Sequence, residues 1–243
     1  MVKLPDSYVA VDIETTGLNP KVDKIIEIAG ILVRNGTIIE EKTTLVNPRQ
    51  RLSEYVKQLT GIRDNMLEHS PGIERVIRDY VEFCQGLPLL GHNIMFDYRF
   101  LKKAAVNQDL VFEKEGIDTL RLSRAFMPAE EKKCLADACR YFHVETGEAH
   151  RALGDARGAH GLYQALAKAF GDNDTERFLP RQLVYKIKKE QLASKRQKEV
   201  LHELLKYHKI EITVQIDFLS RSEISRLTDK IISQYGRINS TKA

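Results

Sequence analysis

The segment from Tyr8 to Leu18 constrains the fold more than any other part of the chain. Its apolar residues 8–11 predict a short buried strand. Two carboxylates follow, Asp12 and Glu14, and residues two apart in a strand point to the same face. Charge at the end of a core strand is costly to bury unless a cation offsets it, and carboxylate oxygens suit Mg²⁺ or Mn²⁺. The segment alone is thus compatible with a divalent-cation site or with a strand end that carries two solvated acids. The second is the commoner case for such a motif, so the choice depends on the motifs farther along the chain.

The next residues predict that this strand opens a β segment of three strands. Residues 24–34 are mostly apolar and predict the second strand. The Asn35-Gly36 dipeptide is typical of a type I′ hairpin turn, and residues 37–46 then predict the third strand. A loop containing residues 59–62 follows, and we predict a helix with Ser70 as its N-cap and Pro71 as its first residue.

Farther along, strands and helices alternate. We predict a short strand within residues 86–91 and four helices after it. The helices begin near Met95, directly after Asp118 as N-cap, near Cys134 and at His150, and the last one ends near Phe170. Asp97 then lies in the first turn of a helix, where the helix dipole favours a carboxylate. Asp155 shares a face with small residues suited to close packing, so its charge needs a partner. His150 lies close enough in the sequence to reach the same site, although each of these residues alone is common on ordinary helices.

Together these motifs resemble the DnaQ-like exonuclease family, in the branch that uses four acids and a histidine (DEDDh). The similarity covers about residues 7–170 and includes Asp12-x-Glu14, Asp97 after Gly-His-Asn, and His150-x4-Asp155 in the family's order. It implies an α/β ribonuclease H-like fold, with a mixed five-stranded sheet flanked by helices. It also implies 3′→5′ removal of nucleotides from nucleic acid.

The resemblance also implies roles for individual residues. Asp12, Glu14, Asp97 and Asp155 would hold two divalent cations, Mg²⁺ or Mn²⁺, with Asp12 bridging the pair. His150 would accept the proton of the attacking water. The implied substrate-binding residues are Thr15, Thr16, Gly17 and Leu18 around the terminal nucleotide, and His92, Asn93 and Phe96 in the same pocket. An alternative for the last three is structural support of the turn that carries Asp97.

Charge is distributed unevenly and predicts a second part of the chain. Residues 1–174 contain 23 Lys and Arg against 26 Asp and Glu, whereas residues 175–243 contain 15 against 8. We therefore predict an exonuclease domain at 1–172 and a basic module of two or three helices at 173–243, with Ser220 or Ser222 as an N-cap and Gly236 as a helix end. The module either holds nucleic acid or docks on replication proteins, or it is a packing extension of the nuclease.

The resulting functional hypothesis is a metal-dependent 3′→5′ exonuclease that releases nucleoside 5′-monophosphates, most similar to the proofreading (epsilon) part of bacterial DNA polymerase III. The expected partners are single-stranded 3′ ends, DNA in preference to RNA, and a replicative polymerase. Alternatives are an RNA-trimming enzyme like ribonuclease T or oligoribonuclease, and a nucleic-acid-binding adaptor with weak catalysis. Three cysteines without paired spacing and the absence of a long apolar run predict a cytoplasmic protein without membrane segments.

Overall fold

The computed structural model describes residues 3–146 and 151–238 of the chain. These residues form two compact units. Unit 1 comprises Met1–Pro48 and Leu52–Ile187, and unit 2 comprises Arg49–Arg51 and Lys188–Ala243. Each unit has its own hydrophobic core, so each is described separately.

A mixed sheet forms the centre of unit 1. Its strands are β1 (Tyr8–Thr15), β2 (Ile25–Arg34), β3 (Thr37–Leu45), β4 (Leu89–Gly91), β5 (Glu115–Asp118) and β6 (Arg181–Gln182). They lie in the order β3-β2-β1-β4-β5-β6. The pairs β1–β2, β2–β3 and β5–β6 are antiparallel, and the pairs β1–β4 and β4–β5 are parallel. The predicted mixed α/β sheet is confirmed.

Two predictions about this sheet can now be compared with the structure. The Asn35-Gly36 turn is confirmed, since both residues have the positive φ angles, 50° and 75°, that a type I′ turn requires. The predicted number of five strands was one too few. The sixth strand, β6, has two residues, too few to show any periodicity, and it lies beside Leu183, which is buried in the core.

The helices cover both faces of the sheet. They are α1 (Glu54–Thr60), α2 (Asp64–Leu67), α3 (Ile73–Cys84), α4 (Met95–Asn107), α5 (Thr119–Phe126), α6 (Leu135–Tyr141), α7 (Ala152–Phe170) and α8 (Thr175–Phe178) in unit 1, and α9 (Lys195–His208) and α10 (Arg221–Tyr235) in unit 2. Helices α3 and α4 share one core with Val9, Val11 and Ile13 of β1. Helices α5, α6 and α7 share the other core with Tyr8 and Ala10. Because residues two apart in a strand point to the same face, Asp12 and Glu14 lie on the face of the sheet that Tyr8 and Ala10 share with α7.

Some predicted boundaries differ from the structure. Helix α3 begins at Ile73 with Gly72 as its N-cap, not at Pro71 after Ser70, and Asn47 instead pairs with Gly72 in a parallel β-bridge. The predicted loop around residues 59–62 is partly helix α1, which Ser53 caps by accepting a hydrogen bond from the Val56 N–H. The predicted domain division at 172/173 also differs from the division into compact units after Ile187, because Phe178 and Leu183 are buried in the cores of unit 1.

Unit 2 is a small helical unit with its own apolar core. That core contains Leu201, Leu204 and Leu205 of α9 and Ile224 and Ile231 of α10. Ser194 and Ser220 cap these helices through reciprocal capping boxes, and Gly236, with φ 90°, follows the end of α10 as predicted. The unit also includes a segment from an earlier part of the chain. Gln50 forms a bridge with Val214, and the Arg49 guanidinium lies 3.6 Å from the centre of the Phe218 ring.

The described residues include no helix whose length and apolar character would let it cross a membrane. The cysteines are all free thiols, with Cys84 and Cys139 buried and Cys134 exposed. The predicted cytoplasmic location stays a prediction.

Candidate active site

Three carboxylates meet where β1 ends and α7 begins. Asp12 and Glu14 come from β1, and Asp155 comes from the first turn of α7. Each offers an oxygen atom that lies within 4.8 Å of the others, which is a spacing that can hold a metal ion. Helix α7 can approach the strand closely because its buried face carries small residues, Ala152 and Ala156 among them. The predicted convergence of Asp155 with the acids of β1 is therefore found.

A fourth carboxylate reaches the same strand from the opposite core. Asp97, in the first turn of α4, is only 3% exposed, and its Oδ1 accepts a hydrogen bond of 3.1 Å from the Ile13 N–H. Ile13 lies between Asp12 and Glu14, so Asp97 is tied to the backbone of the acidic pair. The structure thus brings together all four acids that the sequence singled out.

The electrostatics of the cluster are unfavourable without a cation. Burial, together with repulsion from Asp97 and Asp155, raises the pKa of Asp12 well above its usual range. Burial, then repulsion from Asp155 and Glu27, raises the pKa of Glu14 to about 8. Burial also raises the pKa of Asp97 to about 8, although the Ile13 N–H bond acts in the opposite direction. Four acids that repel one another at one strand end are what oxygen-preferring divalent cations offset, so this donor set fits Mg²⁺ or Mn²⁺.

The predicted histidine lies outside the described residues, because they stop at residue 146 and resume at residue 151. In the sequence, His150 directly precedes Arg151, which is the N-cap residue of α7. Its role stays a prediction from the sequence.

The segment from Thr15 to Lys24 forms a tight loop beside the cluster. Thr15 Oγ1 donates to the Gly17 carbonyl at 2.6 Å, and the Asn19 N–H donates to the Asp23 carboxylate at 2.8 Å. Leu18 projects from this loop with 83% of its surface exposed. An exposed leucine beside half-buried acids is compatible with the predicted contact to a base, which remains a prediction.

The three residues predicted to line the pocket have different surroundings. His92 uses both ring nitrogens within the protein, at 3.0 Å from Thr119 Oγ1 and 2.8 Å from the Lys133 carbonyl. These contacts favour the structural-support alternative for His92. Asn93 is exposed, has a φ of 68°, and its N–H donates to Asp118 Oδ1 at 2.9 Å. Phe96 is half-buried and packs on Phe100, with ring centroids 5.1 Å apart.

The sequence interpretation missed one residue of the site. Glu27 lies in β2 directly opposite Glu14, is 2% exposed, and forms an ion pair with Arg151. The available signal was a glutamate in the middle of the apolar run Ile25-Ile26-Glu27-Ile28, where an acid needs a buried partner.

Comparisons with known proteins agree with this geometry. A family model described as an exonuclease, RNase_T, matches residues 9–163. DNA polymerase III PolC-type of Bacillus subtilis is 37% identical over 166 residues, which are 67% of this chain and 12% of that protein. The PolC-type polymerase of Caldanaerobacter subterraneus subsp. tengcongensis is 36% identical over 160 residues, 66% of this chain and 11% of that protein. The chain thus spans about one eighth of the length of these relatives or less.

Solved structures give the same picture of the fold. Exonuclease X in complex with 5′-overhanging duplex DNA matches with a TM-score of 0.55 and 28% identity, covering 67% of this chain and 92% of that one. Escherichia coli exonuclease I in complex with a dT13 oligonucleotide matches with a TM-score of 0.59 and 17% identity, covering 72% of this chain and 43% of that one. At that lower identity the second match shows similarity of the fold alone.

Proposed function

Because the chain belongs to the exonuclease family whose model matches residues 9–163, we propose that it removes nucleotides from DNA 3′ ends and releases nucleoside 5′-monophosphates. The observation that carries this proposal is the carboxylate cluster. Asp12, Glu14 and Asp155 offer oxygens within 4.8 Å of one another, and Asp97 is bonded to the same strand. Hydrolysis of a phosphodiester builds negative charge on the phosphate, and a site of this kind can offset that charge once cations are bound.

Each residue of the site has a proposed part. Asp12, Glu14, Asp97 and Asp155 hold two divalent cations, Mg²⁺ or Mn²⁺. When bound, such a pair supplies an activated nucleophile and stabilises the charge that develops on the scissile phosphate. His150 accepts the proton of the attacking water. Thr15, Thr16, Gly17 and Leu18 position the terminal nucleotide, with Asn93 and Phe96 farther along the same pocket.

DNA is the proposed substrate in preference to RNA. Two similar proteins are DNA polymerases of the PolC type, and exonuclease X has been solved with duplex DNA. We further propose that the chain acts on misincorporated 3′ ends together with a replicative polymerase, in the manner of the epsilon subunit of polymerase III. Unit 2, where basic residues outnumber acidic ones, is proposed to hold the nucleic acid strand.

The proposal is tested by digesting 5′-labelled single-stranded DNA and RNA of the same sequence. We expect a ladder that shortens from the 3′ end and free mononucleotides, faster on DNA, with Mg²⁺ or Mn²⁺ and not with a chelator. A higher rate on RNA would favour the RNA-trimming alternative. Tight binding of DNA without any nucleotide release would favour the adaptor.

Substitution of Gly17 is expected to weaken substrate binding. A Cβ at this position would lie 2.6 Å from the carboxylate atoms of Asp23, which hold the Asn19 N–H at 2.8 Å. We expect Gly17→Ala to displace Asp23 and with it the loop that carries Leu18. The KM for single-stranded DNA should then rise about tenfold, with a smaller change in kcat, as steady-state kinetics would show.

Gly86→Ala is the matched control for this change, since a Cβ at Gly86 would meet open space. We expect wild-type kinetics from the control. Equal KM values for Gly17→Ala and the wild type would show that the loop does not contact the terminal nucleotide.

A further inference from the structure

Glu27 connects the sheet to the start of α7 through three hydrogen bonds. Its carboxylate accepts from Arg151 Nη2 at 2.8 Å, from Arg151 Nε at 3.2 Å and from the Ala152 N–H at 3.1 Å. Glu27 also lies directly opposite Glu14 in the β1–β2 ladder. One buried side chain therefore holds both the guanidinium and the backbone at the first residues of α7.

The residues that Glu27 holds are next to the proposed catalytic groups. Arg151 directly follows His150 in the sequence. The Arg151 carbonyl accepts a hydrogen bond of 3.1 Å from the Asp155 N–H, which closes the first turn of α7. The position of Arg151 thus affects Asp155, a proposed cation ligand, through a backbone hydrogen bond. Arg151 is also joined by a peptide bond to His150, the proposed proton acceptor.

A negative charge at this position is costly if packing is its only role. Glu27 is 2% exposed and repels Asp12 and Glu14, which must themselves be close together. A helix start can be capped by a neutral serine, as Ser194 and Ser220 do for α9 and α10. Unlike a serine, a buried carboxylate at this position can accept two hydrogen bonds from the Arg151 guanidinium and so fix its orientation.

We propose that Glu27 is a positioning residue for nucleotide release, which fixes Arg151 and Ala152 and so sets the place of Asp155 in the first turn of α7. The proposal rests on the proposed function. It assigns Glu27 no direct contact with the substrate, and it makes the Glu27–Arg151 pair a single unit whose two halves act together.

The same helix offers a matched ion pair for comparison. Arg157 of α7 donates to Glu41 of β3, with Arg157 Nε 2.8 Å from Glu41 Oε1, so it also ties α7 to the sheet. This pair is more exposed than Glu27 and lies beyond Asp155 along the helix. If Glu27 served only to attach α7 to the sheet, Glu27→Gln and Glu41→Gln would affect activity alike.

The test compares steady-state kinetics of Glu27→Gln with those of Glu41→Gln on single-stranded DNA, at temperatures where both variants are folded by circular dichroism. We expect Glu27→Gln to lower kcat by about 10- to 100-fold with little change in KM, which is typical for partners that orient cation ligands. We expect Glu41→Gln to keep the wild-type kcat. Arg151→Lys should retain more activity than Arg151→Ala, because the ammonium keeps a charged donor for Glu27.

The decisive arm repeats Glu27→Gln in an Arg151→Ala background. If Glu27 acts through Arg151, the Glu27→Gln substitution lowers kcat much less in that background, so the two losses should be strongly less than additive. Full additivity, or a kcat of Glu27→Gln equal to that of the wild type, would overturn the proposal. If Glu27→Gln fails to fold, Arg151→Ala takes its place, since that side chain is 36% exposed. A wild-type protein without metal-dependent nucleotide release would instead refute the proposed function.

Discussion

Replacement of Asp12 by Asn is expected to lower the rate of nucleotide release by about 1,000-fold or more. An oxygen of Asp12 lies within 4.8 Å of an oxygen of Glu14 and of one of Asp155. After burial, repulsion from Asp97 is the largest effect that raises the pKa of Asp12. Asp12 therefore has the other three acids as charged neighbours, and its loss removes one negative charge from the proposed cation site. The change is measured as kcat/KM on single-stranded DNA at saturating Mg²⁺.

The same substitution has an opposite effect on the stability of the metal-free protein. Asp12 is half-buried among acids that repel it, and its pKa is raised, so the charged form opposes folding. We expect Asp12→Asn to raise the Tm in the presence of a chelator while it abolishes activity. Asp79→Asn, at an exposed position on α3, is the control and should change neither quantity. A drop in Tm with Asp12→Asn would mean that lost activity reports unfolding, and retained activity would show that nucleotide release does not depend on the Asp12 carboxylate.

Removal of divalent cations is expected to have the second large effect. Chelation should abolish nucleotide release and should make the stability of the protein depend on pH. The pKa of Asp12 is raised from its ordinary value of 3.8 and that of Glu14 from 4.5 to about 8. An acid with a raised pKa in the folded state favours folding when protonated. The contribution of such an acid to the free energy of unfolding is complete below its ordinary pKa. That contribution is lost as the pH rises from the ordinary pKa through the raised pKa.

The Tm of the chelated protein should therefore fall as the pH rises from about 4 to about 8. Mg²⁺ or Mn²⁺ should restore it, and more strongly at the higher pH, because cations then replace protons as the balancing charge. An ion at 100 times its Kd stabilises by about 2.7 kcal/mol, or about 5–10 °C for a chain of this size. A Tm that is independent of pH, or that rises equally with cations at both pH values, would contradict a cation site made of these acids.

Much of this site could be predicted from the sequence because its signals are local. Asp12 and Glu14 follow an apolar run, and the two-residue period of a strand puts them on one face. The small residues near Asp155 predicted close packing of α7, which is what brings Asp155 to the strand. The hairpin at Asn35-Gly36 and the capping role of Asp118 also depend only on neighbouring residues.

The parts that were missed depend on contacts between distant residues or on very short elements. Glu27 and Arg151 are 124 positions apart, so their pairing has no local signature. Helix α1 has seven residues and β6 has two, which is too few to show a period. Helix α3 was predicted to begin at Pro71, but pairing of Gly72 with Asn47 keeps that segment extended. Tertiary structure decided each of these cases.

The most direct test of the central claim is the location of cations in a crystal of the protein grown with Mn²⁺ and a nucleoside 5′-monophosphate. The anomalous difference map should show two peaks bounded by Asp12, Glu14, Asp97 and Asp155, with Asp12 in contact with both. A map without a peak at this strand end, or with Mn²⁺ bound only elsewhere, would contradict the account.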